Sequence, residues 1–326
     1  MVPEFTKIFS QDSQLYTGAL VLLVSILLAR IAPLPRSLQP LEWLSQVAKN
    51  LSLKVNHTGR ANSQQLIAGT LAMLLLIVPF WAVISFFIEL AEFPWFFEAV
   101  TIYLCLQDDH FRYIANEVVI SIKRDNKVRA RSLLEPWLNR STQSLSNVGL
   151  CKATIERLST TSIYGTVSAI LFYTVGGVPL LIVARMLKQL EFCWPIYNPQ
   201  YRYFGMPVYA LSTLIHFIPA KLWTLSLAIQ GGPQSLATLF NPKVNGVPMN
   251  EYQTSAVVAC ALNIELGGPV KFNNVRVDMP KVCYGRHPNE DDVKSAVKLN
   301  SIAFSLWALA IIVLPGIWAA LRILQG

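Results

Sequence analysis

Residues 66–90 read LIAGTLAMLLLIVPFWAVISFFIEL, and this stretch decides the fold class. A helix needs roughly 20 apolar residues to cross a hydrocarbon core of about 30 Å, and this run is long enough, with Pro79 in its middle. The proline removes one ladder hydrogen bond and kinks the helix, which a membrane tolerates where neighbours re-satisfy the freed carbonyl. Outward from it, residues 15–32 are nearly pure Leu, Val, Ile and Ala, with Arg30 at one end where its charge can snorkel to the interface. Lys7 ahead of that run makes a cleaved signal peptide the competing reading. No small-residue cleavage site follows, because Pro33 and Pro35 come next, so a retained anchor is expected.

Further spans are expected at residues 163–184, 206–230 and 301–324. Gly176-Gly177 and Pro179 break the first, His216, Pro219 and Lys221 interrupt the second, and Pro315-Gly316 kinks the third. Residues 93–106 are aromatic-rich but short, and either cross with tilted ends or lie in the interface. The expected fold class is therefore all-α: a polytopic integral membrane protein with five or six transmembrane helices and helical cytoplasmic loops.

Composition agrees. Of 326 residues, 53% are hydrophobic and 14% charged, with a mean hydropathy of +0.43, whereas soluble domains carry about 25% charged residues. This excludes disorder, collagen-like repeats and a small disulfide scaffold. The five cysteines form no C-x-x-C pair and read as reduced, packed thiols. A net charge of +8 in so apolar a chain reads as cytoplasmic loop charge, with membrane lipid and not nucleic acid as the partner.

Five parts follow: N-terminal membrane spans (1–106), a helical cytoplasmic loop (107–162), central spans (163–230), a second cytoplasmic loop (231–300) and a C-terminal span (301–326). Arg36, Lys49, Lys54 and Arg60 oppose a single acid, Glu42, in residues 33–65, and Lys123, Arg124, Lys127, Arg129 and Arg131 cluster further on. The positive-inside rule places both segments in the cytoplasm, and six spans would then put both termini outside. In the first loop, Ile114, Val118, Ile122, Leu133, Leu134 and Leu138 line one helical stripe. The second loop is rich in turn signals (Asn241-Pro242, Asn245-Gly246, Gly267-Gly268-Pro269), with helices expected over 252–266 and from Asn289, where Glu290, Asp291 and Asp292 suit the helix dipole.

Phosphate-loop, dinucleotide, zinc-hydrolase and serine-hydrolase signatures are all absent. What carries chemistry is a polar series bracketing two apolar segments: Arg140-Ser141-Thr142, Glu156-Arg157, Arg185, Lys188, Glu191, then Tyr197, Tyr201, Tyr203 and Phe204, and finally Lys221. Taken singly, Arg140 and Arg157 are compatible with contacts to lipid phosphates, and the tyrosines with interface anchoring. Lys221 inside an apolar helix costs about 2.5 to 3.5 kcal/mol at a membrane centre, so it needs a partner or a wet cavity; Glu191 and Glu156 are the nearest acids in sequence. No paired inverted repeat of a transporter is present.

The order of these residues resembles the CbiB/CobD family of cobalamin biosynthesis, the adenosylcobinamide-phosphate synthases. Asn139-Arg140-Ser141-Thr142 falls on that family's G-R-D-T element, and residues 155–165 fall on its I-E-S-L-A-E-N-x-x-D-G helix. Gly176-Gly177-Val178-Pro179 matches its G-G-x-P turn, and Lys188-Gln189-Leu190-Glu191 stands where N-T-L-D is expected. Tyr201-Arg202-Tyr203-Phe204-Gly205 matches Y-x-x-F-G, Pro219-Ala220-Lys221 stands for P-A-R, and Leu266-Gly267-Gly268 for a later L-G-G. The family's acidic and amide positions read here as Ser141, Thr160, Thr161, Tyr164, Lys188, Ser212, Thr213 and His216, and only Glu156 and Glu191 keep a carboxylate.

The resemblance implies an ATP-dependent, amide-forming ligase in a bacterial inner membrane, crossing it several times and joining aminopropanol or its phosphate to the carboxylate of adenosylcobyric acid. It further implies ATP and Mg2+ as cofactors, a corrinoid substrate, and other cobalamin-assembly membrane proteins as partners. On that basis Arg140 and Thr142 would grip phosphate, Arg185 and Lys221 would bind anionic substrate groups, and Glu156 with Glu191 would be catalytic and hold magnesium. The loss of acids also resembles the AmpE-like group of inner-membrane proteins, which implies a non-catalytic regulatory or sensory role as the alternative.

Overall fold

The computed structural model describes residues 12–57, 59–106, 108–240, 248–272, 275–283 and 285–325. Lys7 and the turns expected at Asn241-Pro242 and Asn245-Gly246 lie outside them. The chain runs α1 (Ser13–Ile31), α2 (Pro40–Val55), α3 (Asn62–Leu90), α4 (Pro94–Cys105), α5 (Asp108–Lys123), α6 (Lys127–Leu134), α7 (Asn147–Ser162), α8 (Ser168–Cys193), α9 (Met206–Ile215), α10 (Phe217–Gln230), α11 (Pro233–Phe240), α12 (Met249–Leu262) and α13 (Glu290–Gln325). Two small antiparallel ribbons separate the last two helices: β1 (Leu266–Gly267) pairs with β4 (Lys281–Val282), and β2 (Val270–Phe272) with β3 (Val275–Val277).

By length and apolarity, four described helical stretches are able to cross a membrane: Ser13–Ile31, Asn62–Leu90, Asn147–Cys193 and Glu290–Arg322. A fifth is added if α9 and α10, bent by 56° at their junction, count as one. The protein is thus an all-α polytopic membrane protein. The helix over residues 94–105 has 12 residues, only about 18 Å at 1.5 Å per residue, too short to span by itself. Leu71, Leu75, Val83 and Phe87 on α3, and Leu306, Leu309, Leu314 and Leu321 on α13, face outward, as lipid-facing side chains do. Asp12, beside the first turn of α1, pairs with Arg322 near the end of α13 at 3.1 Å, so these two helix ends lie together.

The segment after α7 does not make the single crossing expected of residues 163–184. A π-helical turn, Ile163–Val167, joins α7 to α8, and α8 then breaks at Gly176 and Gly177. Gly177 has φ +63° and ψ −163°, a conformation essentially reserved for glycine. Arg185 donates a 2.6 Å hydrogen bond to the carbonyl of Tyr164, although in one uninterrupted helix those residues would lie about 30 Å apart. Arg157 likewise sits over the ring of Phe192. The chain therefore folds back on itself at Gly176-Gly177, and both ends of this hairpin emerge on the same side.

Two apolar cores meet along the hairpin. Val21, Ile26, Leu76, Ile102, Leu181, Leu187, Trp194 and Phe204 join α1–α4 to α8 and α9. Phe111, Val118, Leu134, Trp137, Leu150, Ile155, Trp223, Val257 and Val293 join α5–α7 to α10, α12 and α13. The stripe expected on 107–162 packs into the second core. Ile114, Val118, Ile122 and Leu134 are buried, and Leu133 and Leu138 pack against them.

The last helix starts as expected after Asn289, whose side-chain oxygen accepts from the backbone N–H of Asp291 and Asp292, both at 3.1 Å. The helix expected over 252–266 runs instead from Met249 to Leu262. It stops where Asn263 turns left-handed (φ 51°, ψ 48°) and the chain enters β1. None of the five cysteines is joined in a disulfide, and three of them are buried.

Candidate functional site

The open ends of the hairpin face α12, the β1 turn and the loop before α7, and a cleft of about 120 Å³ lies between them. Three cations (Arg140, Arg157, Lys188) and three carboxylates (Glu156, Glu191, Glu251) line it among the described residues, with Tyr197, Tyr209, Tyr252 and Phe272 supplying aromatic wall. Arg140 is placed by its loop, which is tied to β2 through Ser141 N–H and the carbonyl of Lys271 at 3.0 Å. It donates at 2.9 Å to Glu156 Oε2, and Glu156 Oε1 accepts from the Gly267 N–H at 2.7 Å. That amide is aimed at the carboxylate because Gly267 adopts φ +71°.

On the α8 side, Lys188 Nζ donates to Glu191 Oε1 at 3.0 Å and to Glu251 Oε1 at 2.7 Å, and lies 3.9 Å from the centre of the Tyr164 ring. Glu191 Oε2 accepts from Ser212 Oγ at 2.5 Å. Burial alone would raise the Glu251 carboxyl, but the Lys188 ammonium and the Arg157 guanidinium outweigh it and hold the group below its ordinary value.

A second, more open hollow of about 300 Å³ adjoins the first. Its wall carries Arg140, Lys152, Lys271 and Arg276 against the single acid Glu156, with Ser144, Ser146 and Gly149 at the start of α7. The α7 N-terminus is capped by Ser146, which accepts from Gly149 N–H, and its dipole adds to the positive potential. Arg140, Glu156, Gly267 and Gly268 line both hollows. Beside this wall, Glu265 takes hydrogen bonds from Lys152 at 2.6 Å and Lys281 at 3.2 Å, which hold its carboxyl below the ordinary value.

Of the residues singled out in the sequence, Arg140, Glu156 and Glu191 share the cleft. Thr142 does not line it: the residue is 1% exposed, and its hydroxyl has no hydrogen-bond partner among the described residues. Arg185 lies deeper in the hairpin, at the Tyr164 carbonyl, and lines a small cavity behind Lys188. Lys221 is not paired with Glu191 or Glu156. The 56° bend between α9 and α10 carries it to Gln253 of α12, to which it donates. Glu251 and Lys152 were not anticipated. Starting α12 at Tyr252 left Glu251 just outside the helix, whereas an acid in a first helical turn was the signal available.

Magnesium coordination by Glu156 and Glu191 does not suit these side chains. Each of their four carboxylate oxygens already accepts from Arg140, Gly267 N–H, Lys188 or Ser212, and the formal charges around the cleft already cancel. No group of three or more His, Cys, Asp or Glu side chains is placed to hold a metal ion among the described residues.

Residues 22–300 match the model of the CobD/Cbib protein family. The chain is 24% identical over 286 residues to the cobalamin biosynthesis protein CbiB of Salmonella typhimurium, covering 84% of this chain and 89% of that protein. It is 25% identical over 294 residues to the cobalamin biosynthesis protein CobD of Klebsiella pneumoniae (86% and 91%), and 23% identical over 303 residues to CobD of Chromobacterium violaceum (89% and 95%). No solved structure matches. The chain belongs to the CobD/CbiB family of cobalamin biosynthesis.

Proposed function

From that membership and the paired hollows, we propose that the protein joins aminopropanol or its phosphate to the carboxylate of adenosylcobyric acid, with ATP, in a bacterial inner membrane alongside other cobalamin-assembly membrane proteins. The observation that supports this most is the shared wall of Arg140, Glu156, Gly267 and Gly268 between a charge-balanced cleft and a basic hollow. Amide formation needs such a wall, because the carboxylate must meet both its activating phosphate and the amine at one place. ATP would supply the activation of that carboxylate. Arg140, Lys152 and Lys271 offer charge-assisted donors to phosphate oxygens in the basic hollow. A corrinoid ring is far larger than a 120 Å³ cleft, so in this reading only its carboxylate-bearing arm enters, past Tyr197 and Phe272. Glu156, at the junction, orients Arg140 toward the phosphate that leaves as the amine attacks, while Glu191 and Lys188 hold the inner wall. No step is routed through a metal held by this chain.

The test is turnover. Purified full-length protein in lipid nanodiscs, given adenosylcobyric acid, ATP and aminopropanol or its phosphate, should yield the amide by mass spectrometry. A strain lacking its own synthase should regain cobalamin synthesis when it carries this gene. Absence of both, with the protein folded and in the membrane, would overturn the proposal and favour a non-catalytic role.

A further inference from the structure

The cleft carries a cation of its own, built into the chain. Lys188 and Glu191 stand one turn apart on α8, Glu251 comes from the first turn of α12, Ser212 from α9 and Tyr164 from the π-helical turn. The Lys188 ammonium sits between Glu251 and Glu191 at 2.7 Å and 3.0 Å and over the Tyr164 ring, while Ser212 bonds the other oxygen of Glu191. The Lys188 and Glu191 side chains are only 9% and 7% exposed, so water supplies little of their counter-charge. The buried Glu191 carboxylate and the part-buried Glu251 carboxylate, whose side chain is 27% exposed, face the same ammonium, and a cation between them offsets their mutual repulsion. A hard divalent ion meets that need at about 2.0–2.6 Å from oxygen. It cannot share the position with an ammonium hydrogen-bonded to the same oxygens.

We propose that Lys188 is a covalent replacement for a divalent cation between Glu191 and Glu251. The pair takes no magnesium in this chain, and removing the ammonium converts it into a divalent-cation site. The charge that organises the inner wall is then independent of metal supply. This inference rests on the side-chain geometry alone and holds whichever substrate the cleft accepts.

The experiment is a titration of full-length protein in detergent with Mn2+, following loss of the free-ion signal by electron paramagnetic resonance. Wild type and Lys188→Arg should show no stoichiometric Mn2+ site. Lys188→Asn should take up one Mn2+ per chain, and adding Glu191→Gln to it should abolish that uptake. Because two facing carboxylates without their ammonium destabilise Lys188→Asn, its thermal midpoint is read with and without millimolar MnCl2. The ion should raise the midpoint of Lys188→Asn and leave wild type and Lys188→Arg unmoved. Stoichiometric binding to wild type that is lost in Glu251→Gln would overturn the proposal. So would a Lys188→Asn protein that neither takes up Mn2+ nor is rescued by it. Neither result depends on turnover, so failure here is distinguishable from failure of the proposed reaction.

Discussion

Arg185 spans the two arms of the hairpin and donates to the backbone carbonyl of Tyr164 at 2.6 Å. Arg185 is 5% exposed and Tyr164 likewise 5%, so the carbonyl has little access to water. Leaving a buried acceptor unmet costs about 1–3 kcal/mol. Arg185→Met should therefore lower stability by roughly that amount, read as a reduced thermal midpoint in detergent. An unchanged midpoint would show that the bond does not hold the arms together.

The reversal itself depends on Gly177, whose φ of +63° and ψ of −163° are closed to other residues. Gly177→Ala should destabilise the protein by about 1–3 kcal/mol. Gly316→Ala is the control: an added methyl there meets nothing within 4 Å. Its midpoint should hold or rise. Equal losses in the two variants would remove the special role assigned to the turn.

Glu265 predicts a pH dependence. Its carboxyl is held below the ordinary value of 4.5, chiefly by hydrogen bonding from Lys152 and also by Lys281. A depressed folded-state value means that the stabilisation is complete above pH 4.5 and is lost as pH falls through the lower folded value. The midpoint difference between wild type and Glu265→Gln should thus be largest near neutrality and shrink in acid. A difference that grows on acidification would reverse the sign of the effect.

Arg140 is placed to meet phosphate and to orient Glu156. Losing a charge-assisted hydrogen bond costs about 1.5–3 kcal/mol, so Arg140→Ala should cut kcat/KM for ATP by roughly 10- to 100-fold. Arg140→Lys should recover only part of it, because an ammonium lacks the planar fork. If Arg140→Ala turns over normally, the shared wall is not where the reaction occurs.

Much of the fold was legible because it follows from local chemistry. The apolar runs over 15–32, 66–90 and 301–324 are confirmed as helices. The Ile114–Val118–Ile122 stripe needed only a period of 3.6 to be recognised. The site was less legible. Arg140, Glu156 and Glu191 were visible as scarce charges in an apolar chain. Glu251 was not, since it lies 60 residues beyond Glu191 in a turn-rich loop and reaches the cleft and Lys188 through tertiary packing.

By itself, the sequence determined that this chain lives in lipid, that its core is helical and that Gly176-Gly177 interrupts a span, because hydrophobic length and glycine's conformational freedom are local properties. Only the tertiary structure decided that the interruption is a reversal, that Lys221 turns to Gln253, and that a lysine fills the place between two carboxylates. Those outcomes depend on which distant charges come within a few ångströms, where electrostatic energy varies steeply with distance and burial, and no sequence spacing records that separation.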